Sequence, residues 1–365
     1  MGGDEPAYHA LALHLLKGEG FIGKAGQPTA WRTPGLPLVL ATVYRITGDN
    51  PSHARILLAT LASLTAVALY GLALLLFGRR SIALLSGFGW ALLPTSHRMS
   101  GLLLGEPLAA FCLTIGLLLA VYAQRRRSCV LAAAAGFVLG YAVLTRVFLL
   151  FGLAGPVIWL IVQRRRREAI VLSFAVLLLL GAWGVRNAVR LGTFTLSTQT
   201  ANMWLGNNAW TRGSWYRDMA PQLASLRQRH PDLDTLEEAA AARIYTQETF
   251  NEVTHHPGRI LWLLPRKILI FLAPSSWNGF DVLYALLLPF WIYGFWRMAR
   301  DAQRRHMLWL LSVPIAGVLI VTMLTFGDPR FRHPVDPLFV LFGMIGLVEC
   351  ASWLVRRWNG TAEAR

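Results

Sequence analysis

Residues 56–77 read ILLATLASLTAVALYGLALLLF and stop at Gly78-Arg79-Arg80. These 22 residues carry no formal charge, and an α-helix needs roughly 20 apolar residues to cross a hydrocarbon core of about 30 Å. The stretch predicts a transmembrane helix, and the basic pair behind it predicts which end stays in the cytoplasm.

The same grammar repeats toward the C-terminus. After it, spans are predicted at Ser81 to about Pro94, and at Gly101 to Tyr122, closed by Arg125-Arg126-Arg127. Two more lie near 129–144 and 147–162, the latter followed by Arg164-Arg165-Arg166-Arg167, and a sixth covers 169–185. Late apolar segments fall at about 281–297, 308–325 and 335–354. Before the first span, residues 1–55 are mixed, rich in Gly and Pro, with two short helices expected. They open on the polar run Met1-Gly2-Gly3-Asp4-Glu5, which has none of the features of a signal peptide.

Residues 186–258 break the pattern with a polar, Trp- and Asn-rich stretch. An amphipathic helix is expected to open there at Asp234, with Glu237 completing a capping box and Leu236, Ala240 and Ile244 on one face. Four parts follow: an outer loop over 1–55, six spans over 56–185, a large outer loop with an interfacial or re-entrant segment over 186–280, and three spans over 281–355. The predicted architecture is all-α, a polytopic transmembrane helical bundle.

Composition agrees. Of the 365 residues, 55% are hydrophobic and 15% charged, where soluble chains carry about 25% charged residues. The excess of 35 Lys and Arg over 19 Asp and Glu gives a net charge of +16. Much of it lies between apolar segments, where the positive-inside effect accounts for it without nucleic acid. Cys112, Cys129 and Cys350 lack metal-ligand spacing and are expected to be small core residues.

Charge also orders the spans. With Arg79-Arg80 inside, alternation puts Arg125–Arg127 and Arg164–Arg167 inside as well, and the 186–258 loop outside. The cluster from Arg297 to Arg305 joins the inner set if 260–273, interrupted by Pro265-Arg266-Lys267, does not cross. Nine spans result, with the N-terminal region outside and Arg356-Arg357 inside. That arrangement leads one to expect a further helix ahead of Asp4.

Alternation gathers Asp4, Glu5, Arg32, His97, Arg98, Glu106, Arg146, Arg186, the 186–258 loop and the turn Gly327-Asp328-Pro329-Arg330-Phe331-Arg332 on the outer face. Ionisable groups at the hydrocarbon edge are costly and tend to mark a site. Each has a plainer reading too. Asp4-Glu5 could be a solvated end, Arg146 could reach for lipid headgroups, and Glu106 before Pro107 could simply meet a helix dipole. The tryptophans near 204–215 suit an interfacial belt as well as a sugar platform. His255-His256 lacks the spacing of a metal site. Together, arginines and carboxylates on one face fit a phosphate-bearing, membrane-embedded substrate: the guanidinium fork matches phosphate oxygens, and a carboxylate can take a proton from an acceptor hydroxyl.

Several motifs sharpen this. Asp4-Glu5 with Tyr8, Ala12 and Gly18, then Arg32-Thr33-Pro34-Gly35-Leu36-Pro37, resembles the first outer loop of GT-C fold glycosyltransferases. Further matches are Leu144-Thr145-Arg146, Trp183-Gly184-Val185-Arg186-Asn187, Trp204-Leu205-Gly206-Asn207-Asn208 and Arg330-Phe331-Arg332-His333-Pro334 with Pro337. The group resembled is the ArnT-like and dolichyl-phosphate-mannose-protein mannosyltransferase-like family. The resemblance implies a bacterial inner-membrane enzyme with an outward-facing site. It would transfer a sugar with inversion from a polyprenyl-phosphate donor to a lipid, glycan or protein acceptor. By the same resemblance Asp4 is the base, Glu5 its helper and Glu106 the second acidic position. Arg32, Arg146 and Arg330 are lipid-phosphate ligands, and Tyr8, Arg186, Asn207 and Asn208 are further substrate contacts. No metal or cofactor is assigned, although two outer carboxylates could hold a divalent ion. A flippase or transporter of lipid-linked sugars would be all-helical and Arg-lined too, but its site should lie near the bilayer midplane. A non-catalytic envelope assembly protein would leave Asp4 and Glu106 dispensable.

Overall fold

A computed structural model describes residues 3–23, 26–214, 219–276 and 279–362. In chain order the helices are α1 (Glu5–Leu16), α2 (Gly35–Thr47), α3 (Pro51–Phe77), α4 (Arg80–Ala91), α5 (Pro94–Ser100), α6 (Gly105–Arg126) and α7 (Cys129–Thr145). A 3₁₀ stretch, Val147–Leu153, runs into α8 (Ala154–Val162), followed by α9 (Arg166–Leu191), α10 (Ala201–Asn207), α11 (Met219–Arg229), α12 (Glu238–His255) and α13 (Pro257–Leu272). A two-residue hairpin, β1 (Ser275–Ser276) and β2 (Gly279–Phe280), precedes α14 (Val282–Arg300), α15 (Met307–Leu324), α16 (Pro329–Arg332) and α17 (Asp336–Ala362).

Among the described residues six helical stretches are long and apolar enough to cross a membrane: Pro51–Phe77, Gly105–Arg126, Arg166–Leu191, Val282–Arg300, Met307–Leu324 and Pro329–Trp358. This is a multi-pass membrane bundle. Two further expected spans are the shorter apolar helices Cys129–Thr145 and Val147–Val162. The one expected at Ser81–Pro94 is the 12-residue α4, about 18 Å long at 1.5 Å per residue, after which the chain turns at Leu93-Pro94 into α5.

Small residues set how closely the helices approach, as in membrane bundles generally. A Cβ on Gly136 of α7 would stand 2.3 Å from the Leu172 carbonyl of α9, and one on Gly346 of α17 1.9 Å from the Phe290 carbonyl of α14. These pairs meet backbone to backbone. α6 is the hub, packed on α3 and α7 and buried along most of its length.

Three local expectations change. α12 starts at Glu238 with Glu237 as N-cap and no capping hydrogen bond from it, so Asp234 and Leu236 precede the helix. The residues α12 packs inward are Ala241, Ile244 and Tyr245, against a second small core of Trp204, Leu205, Leu226 and Leu233. α13 runs unbroken through Pro265. Cys112 is buried as expected, but Cys129 is exposed at the head of α7 and Cys350 only partly covered.

The two ends of the bundle differ in chemistry. At one, Glu349 of α17 holds Arg79 (3.2 Å), Arg304 (3.3 Å) and Arg297 (3.7 Å), drawing two basic clusters from distant parts of the chain together. The opposite end holds the polar site. Glu106 in the first turn of α6 and Arg125–Arg126 in its last are separated by about 30 Å of helix.

Candidate functional site

The site is a chain of alternating charges. Pro6 at the start of α1 fixes the entry of that helix, leaving Asp4 as its N-cap with no capping hydrogen bond from its side chain. The freed carboxylate accepts from Arg32 Nη2 at 2.5 Å. Its other oxygen lies 2.9 Å from Arg330 Nη2, an ion pair without the alignment of a hydrogen bond. Arg330 Nε donates to Glu106 Oε1, and Arg146 Nη2 donates to Glu106 Oε2. The order is Arg32–Asp4–Arg330–Glu106–Arg146. Tyr8, one turn along α1, lies under both flanking guanidiniums, 5.5 Å from that of Arg32 and 5.8 Å from that of Arg146.

Local structure aims each group. α7 ends where Arg146 turns to extended backbone (φ −144°, ψ 102°), which throws its side chain across to α6. Gly35 permits the close pass of α2 over that corner: a Cβ there would stand 2.4 Å from Thr145 Oγ1. Asp328 caps the one-turn α16 by accepting from the Arg330 peptide N–H at 2.8 Å, and so sets the direction of Arg330. Two residues on, Arg332 points the other way, into the core, bonding Asp336 at 2.6 Å and the Phe271 and Ala273 carbonyls at the end of α13.

Electrostatics divides the two carboxylates. Glu106 is sealed, with its side chain 1% exposed, whereas 24% of Asp4 faces solvent. Burial alone would raise the Asp4 pKa, but the guanidiniums of Arg32, Arg330 and Arg146 outweigh it and hold this carboxyl below the usual range. Asp328 shifts the other way: burial raises it, against the lowering effect of the Arg330 peptide and guanidinium. Three guanidiniums against two carboxylates leave the five-member chain with one formal positive charge. Arg32 Nε and Arg146 Nε are buried N–H groups with no partner, donors that an incoming anion could use. Both carboxylates are already engaged, and no group of three or more His, Cys, Asp or Glu side chains meets among the described residues. The donor set suits an anion better than a cation.

Of the residues singled out in the sequence, Asp4, Tyr8, Arg32, Glu106, Arg146 and Arg330 come together. Glu5 does not join them: it turns inward, accepting from the Leu103 peptide at 2.7 Å and from Arg55 at 3.2 Å. Arg186 grips the first loop through the Phe21 (2.6 Å) and Thr29 (2.8 Å) carbonyls. Asn207 bonds the Leu324 carbonyl and Lys267, and Asn208 bonds Gln222 and the Trp210 and Thr211 peptides. Trp204 is a core residue, Trp210 is exposed, and Trp215 lies outside the described residues. Sequence reasoning passed over Lys267, which caps the end of α15 through the Met323 carbonyl, and Glu238, which bonds Thr29, Ala30 and Thr198.

Residues 35–202, a little under half of the chain, match the family model described as dolichyl-phosphate-mannose-protein mannosyltransferase. No curated protein matches the sequence. Among solved structures, the Archaeoglobus fulgidus oligosaccharyltransferase tethered to an acceptor peptide matches with a TM-score of 0.55 at 16% identity, over 95% of this chain and 45% of that one. AglB from the same organism, in complex with an inhibitory peptide and a dolichol-phosphate, matches with a TM-score of 0.51 at 15% identity, over 98% and 47%. The protein has the GT-C fold. The likeness to these structures is one of fold. ArnT of Cupriavidus metallidurans bound to undecaprenyl phosphate aligns at a TM-score of 0.45 and 17% identity, over 96% of this chain and 74% of that one. The GT-C chain described here spans less than half the length of the two oligosaccharyltransferase chains.

Proposed function

We propose that this protein transfers a sugar from a polyprenyl-phosphate donor to a cell-envelope acceptor at the outer face of the bacterial cytoplasmic membrane. The observation that carries this reading is the Arg32–Asp4–Arg330–Glu106–Arg146 chain at one end of the bundle. Its net positive charge and unfilled guanidinium N–H groups suit a lipid phosphate. A relative of the same fold was captured with a dolichol-phosphate, in keeping with such a donor.

The proposed step is an in-line displacement. The acceptor oxygen forms a bond to the anomeric carbon as the bond from that carbon to the phosphate oxygen breaks. The electron pair leaves on the polyprenyl phosphate, whose added charge Arg32, Arg146 and Arg330 stabilise. The acceptor proton passes to Asp4, the carboxylate that solvent reaches; sealed Glu106 instead holds Arg146 and Arg330 in place. Attack opposite the leaving phosphate inverts the anomeric centre.

Incubating native membranes with radiolabelled polyprenyl-phosphate sugars tests class and donor together. Label should move to an acceptor in wild-type membranes and remain on the lipid with Asp4→Asn. Label moving equally in both would remove Asp4 from the chemistry.

A further inference from the structure

Glu238 has no place in the step above, yet among the described residues it is the most heavily bonded carboxylate of the polar segment. It stands in the first turn of α12, the helix that packs with α10 on the second small core. One oxygen accepts from Thr29 Oγ1 at 2.5 Å, the other from the Ala30 peptide at 2.7 Å and from Thr198 Oγ1. The Thr198 peptide donates in turn to the Ala30 carbonyl at 3.2 Å. Thr29 and Ala30 are buried. The strap they belong to then reaches Arg32, held by Asp4, and Thr33, whose hydroxyl donates to the Thr145 carbonyl at 3.0 Å, one residue from Arg146. Five residues thus run from α12 to the corner that presents Arg146.

We propose that Glu238 is a positioning residue for the phosphate site. By holding Thr29 and Ala30 it fixes the strap on which Arg32 stands, and so makes the module built on α10 and α12 a mechanical part of donor binding. The role rests on the donor reading given above. Arg186 grips the same strap from α9 through backbone carbonyls, whereas Glu238 ties it to α12. Because it acts through Arg32, its effect on donor binding should vanish when Arg32 is gone, whereas a residue serving general stability would weaken both backgrounds alike.

The test is a double-mutant cycle on the full chain in detergent, read by polyprenyl phosphate binding and by amide exchange at Ala30 and Thr198. Glu238→Ala should weaken binding about threefold to tenfold, a fraction of what hydrogen bonds to a charged acceptor are worth because the loss reaches the donor only through the strap, and speed exchange at both amides. Glu238→Gln, which keeps an acceptor for Ala30, should recover much of the loss. In an Arg32→Ala background Glu238→Ala should add nothing. An additive loss there, or binding or exchange unchanged by Glu238→Ala alone, overturns the proposal. No binding by the wild-type protein overturns the donor reading and this role together, while intact wild-type binding that Glu238→Ala leaves untouched overturns the role alone.

Discussion

Asp4→Asn should move transfer and donor affinity in opposite directions. Loss of a general base costs about 10²–10⁴ in rate, so kcat should fall by that factor. Affinity follows the charge count. Asp4 now neutralises part of Arg32 and Arg330, at 2.5 and 2.9 Å, and a donor phosphate must share those guanidiniums with it. Two like charges about 5 Å apart at an effective dielectric of about 20 repel by about 3 kcal/mol. Asp4 is 24% exposed, and water reaching it screens part of this, leaving an expected tightening of about threefold to thirtyfold in Kd. Radiolabel transfer and equilibrium binding of polyprenyl phosphate, on the same purified variant, give both numbers. Transfer near the wild-type rate refutes Asp4 as base. Weaker donor binding refutes the competition between its carboxylate and the phosphate.

Three further outcomes follow from the same geometry. The Asp4 pKa is depressed in the free protein, so the ionised base persists through the neutral range, and kcat/KM should fall only as pH drops below the usual carboxylate range; phosphate drawing the arginines away raises that pKa, so the acid limb of kcat should lie at higher pH than that of kcat/KM. Glu106→Ala strands the buried Arg146 guanidinium and leaves Arg330 with Asp4 alone, and should cost about 3–5 kcal/mol of stability, read by thermal denaturation, with the loss partly restored by added polyprenyl phosphate. Glu5→Gln should lower stability by about 1–3 kcal/mol through the Leu103 and Arg55 contacts, leaving kcat per folded molecule unchanged; a kcat loss matching that of Asp4→Asn would return Glu5 to the chemistry.

The bundle and the five charged members of the site were legible because both stand out from their surroundings. A 22-residue uncharged run permits few alternatives, and Glu106, Arg146 and Arg330 are conspicuous at the edges of apolar segments. Asp4 and Glu5 were inseparable as neighbours; only the helix start that sends one out and the next into the core tells them apart. Arg266 and Lys267 pose the same problem. Consecutive helical positions point about 100° apart, and here Arg266 stacks on exposed Trp262 at 4.4 Å while Lys267 is fully buried. Glu238 was hidden for another reason. A carboxylate in a polar helix reads as a solvated face, and two of its three partners lie more than 200 residues away in the first loop, a pairing that no local pattern encodes. The start of α12 was misplaced because Asp234 and Glu237 fit a capping box by type, while the chain instead puts Asp234 beside Arg227 (2.7 Å).

Glu349 has a bearing on how the protein is made. It lies in α17, the last span, yet it is the shared counter-ion of Arg79, Arg297 and Arg304. Synthesis runs from the N-terminus, so Arg79, Arg297 and Arg304 are made before the carboxylate they share, with Asp301 beside Arg304 (3.3 Å) as a nearer partner for that arginine alone. Like charges at that end repel one another wherever the shared carboxylate is missing. α17 therefore works as a bolt across helices made before it, and removing its carboxylate should loosen the basic end of the bundle first.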